Sequence, residues 1–183
     1  MTDTVLVVHS SGPQGPGEGS EPLVGRLREE LGSDYDVVFP VMPDTEVDPH
    51  YEPWRDRLSA ELDKLEAKVI VLGHSLGGSV ALKYGALVGF DDNVAGLVTA
   101  AAPYWGTSGW EQEWALPERW PEDRMQLPPA VLFHSRDDEE APFSSLERFA
   151  ERFPEARTQP LEGNGHLYDR GDLSAIVAAI RSL

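Results

Sequence analysis

KVIVLGHSLGGSVALKY, residues 68–84, changes its periodicity part-way along. Residues 68–72 are a short, β-branched apolar run that reads as a buried strand, and residues 79–84 continue with Val80, Ala81 and Tyr84 at helical spacing. Between them Gly73-His74-Ser75-Leu76-Gly77 matches GxSxG. A serine at that junction sits on a sharp strand-to-helix turn, with its hydroxyl above the end of the sheet and the next backbone N–H aimed at the same space. Gly73 and Gly77 then have a steric task, because a side chain at either would crowd the turn or hold the helix off the strand. A bare five-residue pattern arises often by chance; the strand before it and the helix after it give this one weight.

The same alternation extends towards both ends of the chain. Residues 4–8 are an apolar β run, followed by His9-Ser10-Ser11-Gly12 and the loop PQGPGEGS. That loop has no GxxxxGK[ST], and in a GxGxxG frame on Gly15 and Gly17 the third glycine falls on Ser20, so nucleotide binding is not indicated. Ser20 is placed as the N-cap of a helix with Glu21 and Pro22 in its first turn and Leu23, Leu27 and Leu31 on one face. A strand at 36–41, a proline-marked loop and a helix over 54–66 carrying Trp54, Leu58, Leu62 and Leu65 lead into the central stretch. Beyond it come strands at 94–101 and 130–134 and a helix over 143–153 with Ser144 and Glu147 at capping-box spacing. An edge-type strand at 156–161 and a C-terminal helix with Leu173, Ile176, Val177 and Ile180 follow. This series predicts one α/β domain over 1–183, its sheet mostly parallel, with helices on both faces and ligands at the carboxyl ends of the strands.

One connection departs from the pattern. AAPYWGTSGWEQEWALPERWPEDRM is longer than the roughly 12 to 15 residues of an ordinary loop. It holds Trp105, Trp110, Trp114 and Trp120, four of the chain's five tryptophans. Residues 102–128 are therefore expected to act as a minimal lid over the nucleophile, with Tyr104 and Trp105 lining an apolar acyl pocket and Tyr168 as a further candidate. Tryptophans that patch the core of a small domain are the competing reading.

A serine hydroxyl is a weak nucleophile, so it needs a histidine to accept its proton and an acid to orient that histidine. On such elbows the partners follow in the order serine, acid, histidine. His9 and His50 precede Ser75, His74 adjoins it, and His134 comes before the acidic run HSRDDEEAP. Only His166, in the loop Gly163-Asn164-Gly165-His166 after the last strand, follows both. The acid comes from that acidic run, with Asp138 preferred and Asp137 the alternative; the remaining carboxylates read as a solvated turn. An oxyanion hole needs two backbone N–H groups. Leu76 supplies one, and the loop after the first strand supplies the other, from Ser11 or, failing that, Ser10.

Composition narrows the partners. The formal net charge is -17, with 32 acidic against 15 basic residues, which argues against nucleic acid and anionic membranes. An acidic surface with so few lysines suits a salt-rich host as well as an ordinary soluble enzyme. With no cysteine, disulfides, thiolate metal sites and a cysteine nucleophile are excluded. The N-terminal apolar run is strand-length and lacks a basic flank, so a cytoplasmic location is expected, and composition leaves the oligomeric state open.

The serine, acid, histidine order, GHSLGG, the acidic turn ending in Pro142 and the NGH loop together resemble the α/β-hydrolase superfamily over nearly the whole chain. Within it, the short length, HSRDDEEAPF and the tryptophan-bearing connection are similar to the small serine hydrolases like retinoblastoma-binding protein nine and its bacterial relatives. The resemblance implies a six-stranded core with a reduced lid and a Ser75, Asp138, His166 triad acting on small esters or amides, with no metal and no organic cofactor. One departure is His9-Ser10-Ser11, where relatives often carry a His-Gly oxyanion loop. The expected activity is carboxylic-ester hydrolysis. The alternatives are an amidase or peptidase with the same triad, and a noncatalytic binding scaffold that keeps the fold.

Overall fold

The computed structural model describes residues 2–106, 108–119 and 127–183, except for the side chain of Trp110. Its strands are β1 (Asp3–Val8), β2 (Tyr35–Val38), β3 (Val69–His74), β4 (Val94–Ala100), β5 (Ala130–Ser135) and β6 (Arg157–Leu161). Its α-helices are α1 (Glu21–Leu31), α2 (Tyr51–Leu62), α3 (Leu76–Leu87), α4 (Ser144–Arg152) and α5 (Ser174–Ser182). The six strands form one sheet in the order β2-β1-β3-β4-β5-β6, and all five pairings are parallel.

Burial explains the composition of each strand. β3 is buried along its whole length, as expected of a central strand covered on both faces. β6, with Pro160, is almost wholly exposed at the sheet edge, where a missing N–H costs no ladder bond. Alternate strand residues feed two core layers. Val5, Val7, Ile70, Leu72, Val98 and Phe133 pack against α1 and α5, whereas Leu6, Val8, Val71, Leu97 and Leu132 pack against α2, α3 and α4. Each fully buried Val or Leu stabilises the fold by about 1.5–3 kcal/mol.

The strand order positions the site. From β1 the chain moves one way to β2, and from β3 it moves the other way towards β6, so the order reverses between β1 and β3. Loops at the carboxyl ends of two such strands part and leave a crevice. The loop beginning at His9 and the turn at Ser75 border it.

Several boundaries differ from the sequence reading. α2 begins at Tyr51 rather than 54, because Pro53 is tolerated in a first turn whose N–H groups lack intrahelical partners. β2 stops at Val38, two residues before Pro40. The capping box at Ser144 is not formed: Phe143 is the N-cap of α4, without a side-chain cap bond. Ser20 stands at the N-cap of α1, but its hydroxyl makes no cap bond either.

The aromatic connection is partly fastened down. A 3-10 turn at Gly109–Glu113 leads to Trp114, which is 3 % exposed and meets Trp54 edge-on at 6.0 Å. Lys83 Nζ donates to the Glu113 carbonyl at 2.7 Å and Arg152 Nη2 to the Pro117 carbonyl at 2.5 Å. Trp114 is thus a core residue. Trp120 and the Trp110 side chain lie outside the described residues. Among the described residues, no helix is long and apolar enough to cross a membrane.

Candidate active site

Ser75 sits between β3 and α3 with φ 51° and ψ -121°, a backbone conformation that a non-glycine residue adopts only when its surroundings impose it. The flanking glycines show how. A Cβ on Gly73 would lie 2.5 Å from the Gly77 carbonyl oxygen and the Gly78 Cα. One on Gly77 would run into the carbonyl oxygens of Val8 and His9. Helix α3 therefore starts directly against the end of β1, and the Leu76 N–H, first in that helix, precedes its first intrahelical bond.

His166 Nε2 lies 2.9 Å from Ser75 Oγ. Its other nitrogen, Nδ1, is 2.9 Å from Asp138 Oδ2 and 3.1 Å from Oδ1. A carboxylate only accepts, so Nδ1 carries the proton and Nε2 is left bare to take the one on Ser75. The Asp138 side chain is shut off from solvent. Burial alone would raise its pKa, but hydrogen bonds from His134, His166 and the Ala141 N–H outweigh burial and hold it below the ordinary carboxylate range.

The two adjacent aspartates have separate tasks. Asp138 turns inward, and its Oδ1 accepts the N–H groups of Glu140 at 2.9 Å and Ala141 at 2.8 Å. Asp137 stays at the surface, where the Ser135 hydroxyl and the N–H groups of Gly165 and Gly163 bond its Oδ1 and lower its pKa. It ties the loop after β6 to the end of β5. On the far side of that loop, Arg26 of α1 donates to the carbonyls of Tyr168, Arg170 and Gly171, and Asn164 Nδ2 to that of Asp172 at 3.0 Å.

Sequence reasoning missed other members of this neighbourhood. His134 Nε2 lies 3.1 Å from both Asp138 Oδ2 and the Ala141 carbonyl, so its N–H is shared between two acceptors. Its position four residues before Asp138 was the available signal. Glu140 brings Oε2 to 3.8 Å from His166 Nε2 at the exposed mouth. His74, inside GHSLG, is 0 % exposed; its burial lowers its pKa to about 3, so it is neutral.

The expected pocket residues divide. Tyr104 and Trp105 are half-buried at the end of β4 and pack on the α2, α3 and α4 layer, with the Tyr104 ring 5.0 Å from Phe149. Tyr168 does not line a pocket: it is 0 % exposed and packs in the layer under α1 and α5. Two residues beyond His166, its backbone turns through φ 54° and carries the ring under the site instead of over it. In the loop after β1, the Ser10 N–H donates to Ser20 Oγ at 2.9 Å, whereas Ser11 is exposed. Among the described residues, no group of three or more His, Asp or Glu side chains is placed to hold a metal ion.

A protein-family model described as serine hydrolase matches residues 30–176. Among solved structures, the ydeN gene product from B. subtilis is similar at 17% identity, covering 100% of this chain and 98% of that one, with a TM-score of 0.75. Esterase PE8 is similar at 20% identity, covering 99% and 92%, with a TM-score of 0.68. The N-formylmaleamic acid deformylase from Pseudomonas putida is similar at 15% identity, covering 98% and 92%, with a TM-score of 0.65. No curated protein matches.

Proposed function

The chain belongs to the serine hydrolase family, and on that premise we propose that it cleaves small carboxylic esters through a Ser75, His166, Asp138 triad. The observation that carries this reading is the Ser75 Oγ to His166 Nε2 contact of 2.9 Å, with Asp138 on the opposite ring nitrogen. His166 takes the Ser75 proton as Oγ attacks the ester carbonyl. The N–H groups of Leu76 and Ser11 receive the oxyanion, since that of Ser10 is already committed to Ser20. The imidazolium, stabilised by ionised Asp138, then returns the proton to the departing alcohol. Water, deprotonated by the same histidine, resolves the acyl-enzyme to the acid and free Ser75.

We place Tyr104 and Trp105, at the end of β4, on the acyl side of this site, with the described parts of the aromatic connection, 102–106 and 108–119, as its reduced lid. An amide would need the same groups with more help to the leaving nitrogen. The strained φ of Ser75 favours turnover over a passive scaffold, because strain at a nucleophile is retained where it positions the reacting atom.

Intact mass after exposure to a fluorophosphonate tests the reading. One adduct on the wild type, absent from Ser75→Ala and His166→Ala, is expected, together with faster turnover of a short-chain ester than of the matched amide. Folded wild-type protein that takes no adduct would sink the proposal.

A further inference from the structure

The loop PQGPGEGS after β1 plays no part in that chemistry, yet it ends on Ser20, which is 0 % exposed. Its hydroxyl oxygen is 2.9 Å from the Ser10 N, 2.8 Å from His74 Nδ1 and 3.2 Å from His9 Nδ1. Ser10, His9 and His74 are each no more than 4 % exposed, so the ring nitrogens and the Ser10 N–H must find their partners among these groups, while the Ser10 hydroxyl has none among the described residues. His74 Nε2 stands 2.8 Å from the His166 carbonyl oxygen. A carbonyl only accepts, so Nε2 carries the His74 proton and Nδ1 is bare. The bare nitrogen takes the Ser20 hydroxyl hydrogen, and the Ser20 oxygen receives the Ser10 N–H. His9, at 3.2 Å from both Ser20 Oγ and the Gly12 carbonyl, can donate to only one of them while neutral, which makes it the loosest member.

We infer that Ser20 is a positioning residue of the hydrolase, its hydroxyl coupling the loop that bears the oxyanion amide to the backbone of His166 through the His74 ring. The inference rests on the roles proposed above for Ser75, His166 and Ser11. It accounts for two features at once. The Ser10 N–H is held away from the oxyanion, which leaves that place to Ser11. The His166 backbone is pinned from beneath, while Asp138 holds its ring from the side. A serine that merely capped α1 would do neither, and Ser20 makes no cap bond.

The test has two arms. In wild-type protein carrying nitrogen-labelled histidine, NMR should show His74 as the Nε2–H tautomer at neutral pH, with Nδ1 hydrogen-bonded; an Nδ1–H tautomer or a rapid mixture would overturn the inference. In the second arm, Ser20→Ala and Ser20→Thr are assayed on p-nitrophenyl esters. Ser20→Ala should lower kcat by about 10- to 100-fold with KM within about twofold, because small misplacement of reacting groups is that costly. Ser20→Thr keeps the hydroxyl and should recover most of the loss. Wild-type kcat in folded Ser20→Ala, or an equal loss in both variants, would overturn the positioning role. Should Ser20→Ala fail to fold, the NMR arm decides alone. If the wild type neither turns over nor labels, the hydrolase reading fails, while the NMR arm still reports on the Ser20 to His74 bond.

Discussion

The turn between β3 and α3 and the two loops after β5 and β6 supply opposite halves of one site, and they are held in opposite ways. The turn is shaped by backbone against backbone: Gly73 and Gly77 leave no room for a Cβ, and Ser75 is forced to φ 51° between them. The loops are shaped by side chains reaching across the fold. Asp137 grips the N–H groups of Gly163 and Gly165, Arg26 grips three carbonyls beyond His166, and Asp138 gathers His134 and His166. Sterics of the first kind tolerate almost no substitution. Hydrogen bonds of the second kind can be altered one at a time, so function can be lost while the fold stays.

The largest expected effect lies in the loops and is chiefly on the chemistry. Asp138→Asn keeps the size and packing of the side chain but no longer enforces the Nδ1–H tautomer of His166. On the proposed mechanism kcat should fall roughly 10⁴-fold, in protein that still folds but with a thermal midpoint lowered by the loss of the ionised carboxylate that His134 and His166 share. Steady-state kinetics beside a melting curve checks this, and a loss below tenfold would mean that Asp138 does not orient the base.

The next effect lies in the turn and should be structural. Gly77→Ala drives a methyl group into the Val8 and His9 carbonyl oxygens at the end of β1, so a loss of about 1–3 kcal/mol is expected from overpacking a tight site. Urea unfolding measures it. A variant as stable as the wild type would erase the contrast between the two halves.

A smaller effect joins them, because His74 lies in the turn but bonds the His166 loop. Its pKa is lowered from 6.5 to about 3 in the folded protein, so below pH 6.5 the unfolded chain binds a proton that the folded chain refuses. Stability contributed by His74 is therefore fully present above pH 6.5 and is lost as pH falls, by at most about 1.4 kcal/mol per pH unit. Asp138 acts in the same direction only below its unfolded value of 3.8. Unfolding free energy between those two pH values should be less steep in His74→Gln than in the wild type. Equal slopes would show that His74 is not held neutral by the fold.

Legibility in the sequence follows the same division. The Ser75 turn could be read because its constraints lie within a few consecutive residues. The parallel sheet could be read because central strands buried on both faces carry unbroken apolar runs, residues 5–8 in β1 and 69–72 in β3. Ser20 and Ser144 misled, since a serine before a helix looks like a cap whether its hydroxyl turns to the helix or, as with Ser20, to a buried histidine. Tyr168 misled for a related reason: closeness to His166 along the chain says nothing of which side of the sheet end the ring takes, and one backbone angle of φ 54° sends it into the core.

What the sequence determined by itself was the place of the Ser75 turn, the alternation of strands and helices, and His166 as the one histidine that follows both Ser75 and the acidic run. These depend on local sterics and periodicity, which neighbouring residues carry. Only the tertiary structure decided that Asp138 rather than Asp137 faces His166, that the Ser10 N–H is spent on Ser20, and that Trp114 belongs to the core. Each of those choices turns on where a side chain finds its partner across segments far apart in sequence, and a hydrogen bond is decided by tenths of an ångström that no local pattern encodes.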